Sequence, residues 1–227
     1  MIITIANEKG GSGKSTLCIN LALQFLAEQK DIVVLDTDPQ QSVEVFVNIR
    51  SETSLPIFPL FNRTGNITDT LKQMVGKYQI VIIDTKGEHS KESQRAILLS
   101  DLVLIPTTPS QLDSAVLLDM LERVQDLQAL NEKLKALVLI NRIPPIPTLK
   151  EKQALVEFIE QNNTNNRVLL LKNHLSERIA FKRSISEGLG VMECGDVKAK
   201  REWEQFFNEL TSHLPQSMPN KDKSHAL

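Results

Sequence analysis

The first twenty-six residues constrain this chain more than any others. A short apolar run, Ile2-Ile3-Thr4-Ile5-Ala6, leads into Glu8-Lys9-Gly10-Gly11-Ser12-Gly13-Lys14-Ser15-Thr16, and Leu17 to Leu26 follows with helical apolar spacing. Strand, glycine-rich turn and helix form the context a phosphate-binding loop requires. The frame Gly-x-x-x-x-Gly-Lys-Ser/Thr fits only loosely. Counting back from Lys14, its first position falls on Glu8. The better fit is Lys9-Gly10-Gly11-Ser12-Gly13-Lys14-Ser15, with a second lysine near its start.

The residue types follow from the chemistry. Phosphate oxygens need several backbone N–H donors pointing inward, and side chains would block that approach. Gly10, Gly11 and Gly13 clear the way and allow positive φ. A helix beginning near Lys14 aims its N-terminal dipole at the anion. Lys14 would reach the β- and γ-phosphates, and the Ser15 hydroxyl would ligate Mg²⁺.

Further along, Val/Ile/Leu runs alternate with helical patterns. Ile32 to Leu35, Ile80 to Ile83, Leu102 to Ile105, Ala136 to Ile140 and Arg167 to Leu171 read as strands, the third of these stopped by Pro106. Leu55 to Leu60, with Pro56 and Pro59, reads as a short edge strand or extended piece. Helices are expected over 40–50, 66–76, 111–130, 148–161 and 176–187, with another within 195–214. Ser176 is the expected N-cap of its helix, and Gly188 ends it. The fold class is therefore α/β: a mostly parallel twisted sheet with helices on both faces. In such sheets ligands sit at the carboxyl ends of the strands. Asp36, Asp38, Asp84 and Asn141 all fall there, beside the glycine loop.

The length of 227 residues suits one domain, expected over 1–214, with a polar tail over 215–227 expected to be disordered. No apolar run is long enough for a transmembrane helix, and strand one begins too early for a signal peptide. Cys18 and Cys194 make no disulfide or metal framework and suit a reducing cytoplasm. A net charge of −2 excludes a polycation, so any nucleic-acid contact must come from a local patch.

With these motifs in place, the chain resembles the ParA/MinD family of ATPases. Lys9 to Ser15 matches that family's deviant Walker A loop, and Asp36-Thr37-Asp38-Pro39-Gln40 matches its switch I. Asp84, ending four aliphatic residues, matches a Walker B acid. Pro106-Thr107-Thr108-Pro109-Ser110-Gln111-Leu112-Asp113 matches a further family stretch. Switch II departs from the pattern: Thr85-Lys86-Gly87-Glu88 keeps the glycine but carries Lys86 where a small residue or proline is usual.

The resemblance implies a deviant P-loop NTPase that hydrolyses ATP with Mg²⁺. It implies that Lys9 crosses to the partner's nucleotide in an ATP-sandwich homodimer, that Lys14 holds phosphate, and that Asp38 positions the attacking water. Lys9, Gly10, Gly11, Ser12, Gly13, Lys14, Ser15, Thr16, Gly87, Asn141 and Arg142 form the implied ATP-binding set. Ser15, Asp36 and Asp84 form the implied metal set. The stretch Asn141-Arg142-Ile143-Pro144 has no acid of the kind that reads guanine, and an asparagine amide can pair with adenine, so adenine is the expected base.

Three features place the chain within the family. Strand one begins at Ile2, so no helix-turn-helix precedes it. The end, Ser212-His213-Leu214-Pro215, lacks a basic amphipathic helix for membrane insertion. Cys18 lies in the first helix, so no iron–sulfur cluster is expected. A short partition ATPase remains, cytoplasmic and nucleoid-associated, that binds DNA non-specifically and is released by a centromere-binding ParB-like activator. The alternatives are positioning of another cargo and a nucleotide-dependent adaptor with negligible hydrolysis. Arg178, Lys182 and Arg183 are the candidate DNA-binding residues, with Arg178 and Lys182 expected on one helix face. Lys198, Lys200 and Arg201 extend the candidate patch.

Overall fold

The computed structural model describes residues 1–109, 111–144, 149–163 and 167–215. All of the expected tail except its first residue lies outside them, as do residues 164–166. In chain order the elements are β1 (Ile2–Ile5), α1 (Lys14–Ala27), β2 (Ile32–Asp36), α2 (Ser42–Ser51), β3 (Leu60–Asn62), α3 (Thr68–Lys77), β4 (Ile80–Asp84) and α4 (Lys91–Leu98). Then come β5 (Leu102–Thr107), α5 (Gln111–Leu130), β6 (Lys135–Ile140), α6 (Leu149–Asn162), β7 (Val168–Leu170), α7 (Ile179–Ser186), a 3₁₀ turn (Val191–Glu193) and α8 (Val197–Ser212).

The strands form one seven-stranded sheet in the order β3-β2-β4-β1-β5-β6-β7. Every pairing is parallel, so the sheet is wholly rather than mostly parallel. Strand alternation divides the core. Ile3, Ile5, Val34, Ile80 and Ile82 face a layer built on α1, α2 and α8, with Trp203, Phe206 and Phe25 at its centre. Val33, Leu35, Val81 and Ile83 pack with Leu71 and Met74 of α3 on the opposite face. Val103, Ile105 and Val138 also face that side, against α5 and α6. Both faces being covered explains why the central strands read as unbroken aliphatic runs. Each such side chain, fully buried, contributes roughly 1.5–3 kcal/mol. Among the described residues no helix is long and apolar enough to cross a membrane.

Four local expectations need correction. Pro106 does not stop β5, which runs on to Thr107. The Pro106 carbonyl faces away from β6 and accepts from Asn7 Nδ2 at 2.6 Å. Its missing N–H lies on that same side, beyond the end of β1, so no ladder bond is lost. The edge strand begins at Leu60, not Leu55, because the first pairing group is the Pro59 carbonyl, which accepts from Val34 N. Helix α4 has no counterpart in the periodicity. It is short and polar, started by Ser90, whose hydroxyl accepts from Ser93 N at 3.0 Å.

The fourth correction concerns Ser176, which is not a helix cap. It bridges to Ile143 as a strand residue, and its N–H and hydroxyl both donate to Glu202. Helix α7 starts only at Ile179, with Arg178 in extended backbone before it. Gly188, at φ +69°, follows α7 as expected, and its N–H reaches back to the Ile185 carbonyl.

Candidate functional site

The carboxyl ends of β1, β2, β4 and β6 converge on one loop, Lys9 to Lys14. Gly13 is the residue that makes the turn into α1. It adopts φ +95°, and a Cβ there would lie 2.5 Å from Asn141 Nδ2. The crowding arises because Asn141 donates to the Ser12 carbonyl at 2.8 Å and ties the loop to the end of β6. The other limb is held by Asn7, whose Oδ1 accepts from Lys9 N at 2.9 Å. Lys14 is 6% exposed, and its ammonium donates to the Lys9 carbonyl at 3.0 Å. Burial lowers its pKa, opposed by the charges of Asp84 and Asp38.

Beneath the loop lie two acids. Asp36 and Asp84 end β2 and β4 and are register partners across the ladder. Both are buried. Asp36 Oδ1 accepts from Asp38 N at 2.9 Å, but among the described residues Asp36 Oδ2 and both Asp84 oxygens have no hydrogen-bond partner. Burial pushes Asp84 up to about 8, with the nearby Ser15 hydroxyl pulling the other way. Burial likewise pushes Asp36 up to about 6. Buried carboxylate oxygens without partners are costly unless something cationic joins them. Two such acids beside a hydroxyl form a hard-oxygen donor set that fits Mg²⁺, which keeps some of its waters. Ser15 and Asp36 lie close to Asp84, so the three residues expected to hold the metal stand side by side.

Above the loop is a cavity of about 420 Å³. That volume lies within the usual range for small-molecule sites. Nine of the expected nucleotide-binding residues line it, all except Lys9 and Ser12. Ser12 is instead buried beneath, with an unpartnered hydroxyl. Asp38 lines the cavity from the switch I side, its Oδ1 accepting from Gln40 N at 2.9 Å. Gly87 brings switch II against the loop: a Cβ there would meet Gly10 Cα and Lys14 Nζ at 3.0 Å. Lys86 is 38% exposed and ion-paired with Glu88, a solvated pair at the surface.

Arg142 is a non-glycine residue at φ +56°. Its guanidinium donates to the Gly11 carbonyl at 2.6 Å and to Glu177 Oε1 at 2.5 Å. Glu177 is the main finding that the sequence reading missed. It stands 35 positions from Arg142, so no local pattern announces it. The reading that no acid accompanies Asn141-Arg142 therefore holds along the chain but not in space. Asn141 also has one amide proton committed to the loop, leaving less of it to read a base.

The proposed DNA residues divide. Arg178 pairs with Glu202 at 2.6 Å and lines the cavity, and since it precedes α7 it does not share a helix face with Lys182. Lys182 is exposed, 3.8 Å from Glu177, and borders the same cavity. Arg183 is exposed on α7, and Lys198 and Arg201 are exposed on α8.

With this geometry in hand, comparison with known proteins is informative. The chain is 30% identical to the protein ParA of Rhizobium radiobacter, over 79% of this chain and 80% of the relative. It is 24% identical to the maintenance of carboxysome distribution protein A of Halothiobacillus neapolitanus, over 92% and 95% of the two chains. Among solved structures, a variant of Cyanothece McdA in complex with ATP superposes with a TM-score of 0.67 at 18% identity, covering 92% of this chain and 96% of that one. Residues 3–191 match the CobQ/CobB/MinD/ParA nucleotide-binding domain, and the chain belongs to that family.

Proposed function

We propose that this protein is an ATP-driven partition ATPase. In this reading it binds Mg²⁺-ATP, closes into a sandwich homodimer, coats DNA without sequence preference, and is released when a ParB-like partner stimulates hydrolysis. One observation carries the nucleotide half: the partnerless carboxylate oxygens of Asp36 and Asp84 lie beneath a loop that already presents Lys14 and Ser15. That placement supports a reading in which one site holds a metal and a phosphate chain together.

Each residue then has a defined task. The loop N–H groups and Lys14 bind and orient the β- and γ-phosphates. Ser15 and Asp84 would hold Mg²⁺, with Asp36 supporting them. Bound there, the metal would neutralise charge on the departing ADP as the phosphoryl group passes to water. Asp38, which lines the cavity and retains a free oxygen lone pair, orients the attacking water. Gly87 brings a backbone N–H toward the γ-phosphate. Lys9 reaches the partner's nucleotide.

Replacing Asp38 by alanine tests the assignment of the water. The variant is expected to bind Mg²⁺-ATP and dimerise normally, with hydrolysis reduced about a hundredfold. Single-turnover hydrolysis at the wild-type rate would remove Asp38 from the mechanism.

The DNA half rests on exposed cations at the C-terminal end of the chain: Lys182 and Arg183 on α7, with Lys198 and Arg201 on α8. Phosphate contacts from such residues give sequence-tolerant, salt-dependent binding, and dimerisation doubles their number. The Lys182→Ala/Arg183→Ala double variant is expected to bind random duplex more weakly in the presence of ATP. Because the dimer loses four cations, its slope of log affinity against log salt should fall by about three to four. An unchanged slope would place the DNA surface elsewhere. Likeness to the carboxysome-distribution protein favours a second reading, in which the same cycle positions a protein cargo. Steady-state ATPase assayed with DNA and a co-purified activator decides whether any cycle exists. Negligible turnover under both conditions would leave only an adaptor.

A further inference from the structure

The structure holds the first limb of the glycine loop by an ion pair that no motif requires. Glu8 pairs with Arg123 of α5, with 18% and 24% of the two side chains exposed. Glu8 faces a small space behind the loop, shared with Asn7, Thr85, Ser93, Met120 and Arg123. The nucleotide cavity starts two residues later, at Gly10. Lys9 is the residue between, and its main chain is fixed from both sides. Its N–H donates to Asn7 Oδ1 at 2.9 Å, and its carbonyl accepts from Lys14 Nζ at 3.0 Å. Asn7 is anchored in turn on the Pro106 carbonyl at 2.6 Å, at the end of β5.

These bonds fix where the Lys9 backbone sits, but Asn7 and Lys14 belong to the same short loop. The Glu8–Arg123 pair and Asn7 on Pro106 tie this limb to the packed body of the domain. A lysine that must reach another subunit gains from a rigid origin, because every backbone degree of freedom it retains must be lost on dimer closure. We propose that Arg123 is a positioning residue for Lys9: by holding Glu8 against α5, it sets the direction in which Lys9 leaves the loop. The inference rests on the reading that Lys9 acts across an ATP-bound dimer.

Arg123 touches neither the nucleotide cavity nor the metal set, so its removal separates positioning from binding. The experiment compares wild type, Arg123→Gln, Arg123→Lys, Glu8→Gln and Lys9→Ala. Three quantities are measured: monomer affinity for Mg²⁺-ATP by calorimetry, thermal midpoint, and dimerisation with a slowly hydrolysed ATP analogue by sedimentation. Arg123→Gln is expected to keep monomer affinity within about twofold and to weaken dimerisation about tenfold, the effect of losing about 1.4 kcal/mol of ion-pair support. Arg123→Lys, which keeps the charge, should recover most of the dimer. Glu8→Gln breaks the same pair from the loop side and should match Arg123→Gln, which covers the case in which an Arg123 variant does not fold. If Lys9→Ala itself dimerises normally, the reading beneath the proposal fails. If Lys9→Ala cannot dimerise while Arg123→Gln and Glu8→Gln dimerise as wild type, the positioning role fails alone. A parallel loss of monomer affinity in Arg123→Gln and Glu8→Gln would also overturn it, since the pair would then serve the loop's fold rather than Lys9.

Discussion

Lys14→Ala is expected to abolish measurable binding of Mg²⁺-ATP. The ammonium is almost wholly buried, and it donates to the Lys9 carbonyl across the mouth of the loop. Burial lowers its pKa, while Asp84 and Asp38 favour the charged form. A cation already desolvated and already aimed loses little on meeting a phosphate, so its attraction is close to fully expressed. Truncating one partner of such a buried charged contact costs about 2–5 kcal/mol, or roughly thirtyfold to several thousandfold in affinity. The same truncation removes a cation whose charge favours the ionised form of Asp84, the form a Mg²⁺ ligand needs. Isothermal calorimetry with Mg²⁺-ATP measures the effect. An affinity within threefold of wild type would mean that the phosphates lie elsewhere.

How much of this site could be read from the sequence depends on the range of each interaction. The glycine loop, Lys14, Ser15 and the acids ending β2 and β4 were legible, because a parallel sheet buried on both faces forces its polar residues to strand ends. Pro106 misled because the cost of a proline in a strand depends on which side its missing N–H faces. That is a property of the register with β1, invisible in the run Leu102 to Ile105. Helix α4 was missed because a short, polar, surface helix buries too little for a periodic signal, with only Ser93, Ala96 and Ile97 inward. Ser176 looked like an N-cap because its chemistry is right for one, yet Glu202 of α8 captures both its donors. Glu177 and Arg123 share a cause with Ser176: each acts through a partner far along the chain. The deepest such link joins Arg50 to Glu193 by two bonds of 2.8 Å, a pair whose partners lie in α2 and the 3₁₀ turn and which no local pattern could have named.

The second large effect concerns Asp84 and pH. The acid stands near 3.8 when unperturbed and at about 8 in the folded, metal-free protein. A carboxyl whose folded pKa is raised binds its proton more tightly in the folded state. Its contribution to stability is complete below about pH 4 and is lost progressively as pH rises toward 8. Asp36, raised to about 6, acts in the same direction over the lower half of that window. The nucleotide-free protein should therefore lose stability from about pH 4 to about pH 8, where Asp84 is ionised in the unfolded chain but holds its proton in the folded one, and level off above that.

Asp84→Asn is the direct test, since asparagine has nearly the same shape and cannot ionise. At pH 4 wild-type Asp84 is neutral in the folded chain and about half neutral in the unfolded one, so the two proteins should melt at similar temperatures. At pH 8.5 the variant should melt higher, by at least about 5 °C for a difference of a few kcal/mol in a domain of this size. Adding Mg²⁺ and nucleotide reverses the order. Wild type gains a cation for its carboxylate, releases the proton and is stabilised more strongly as pH rises toward 8. The variant offers an amide in place of that carboxylate, so it should show little Mg²⁺-dependent stabilisation at any pH. Melting curves at the two pH values, with and without Mg²⁺-nucleotide, separate these cases. A variant no more stable than wild type at pH 8.5, or one that keeps the full Mg²⁺ response, would show that the end of β4 is not where the metal is held.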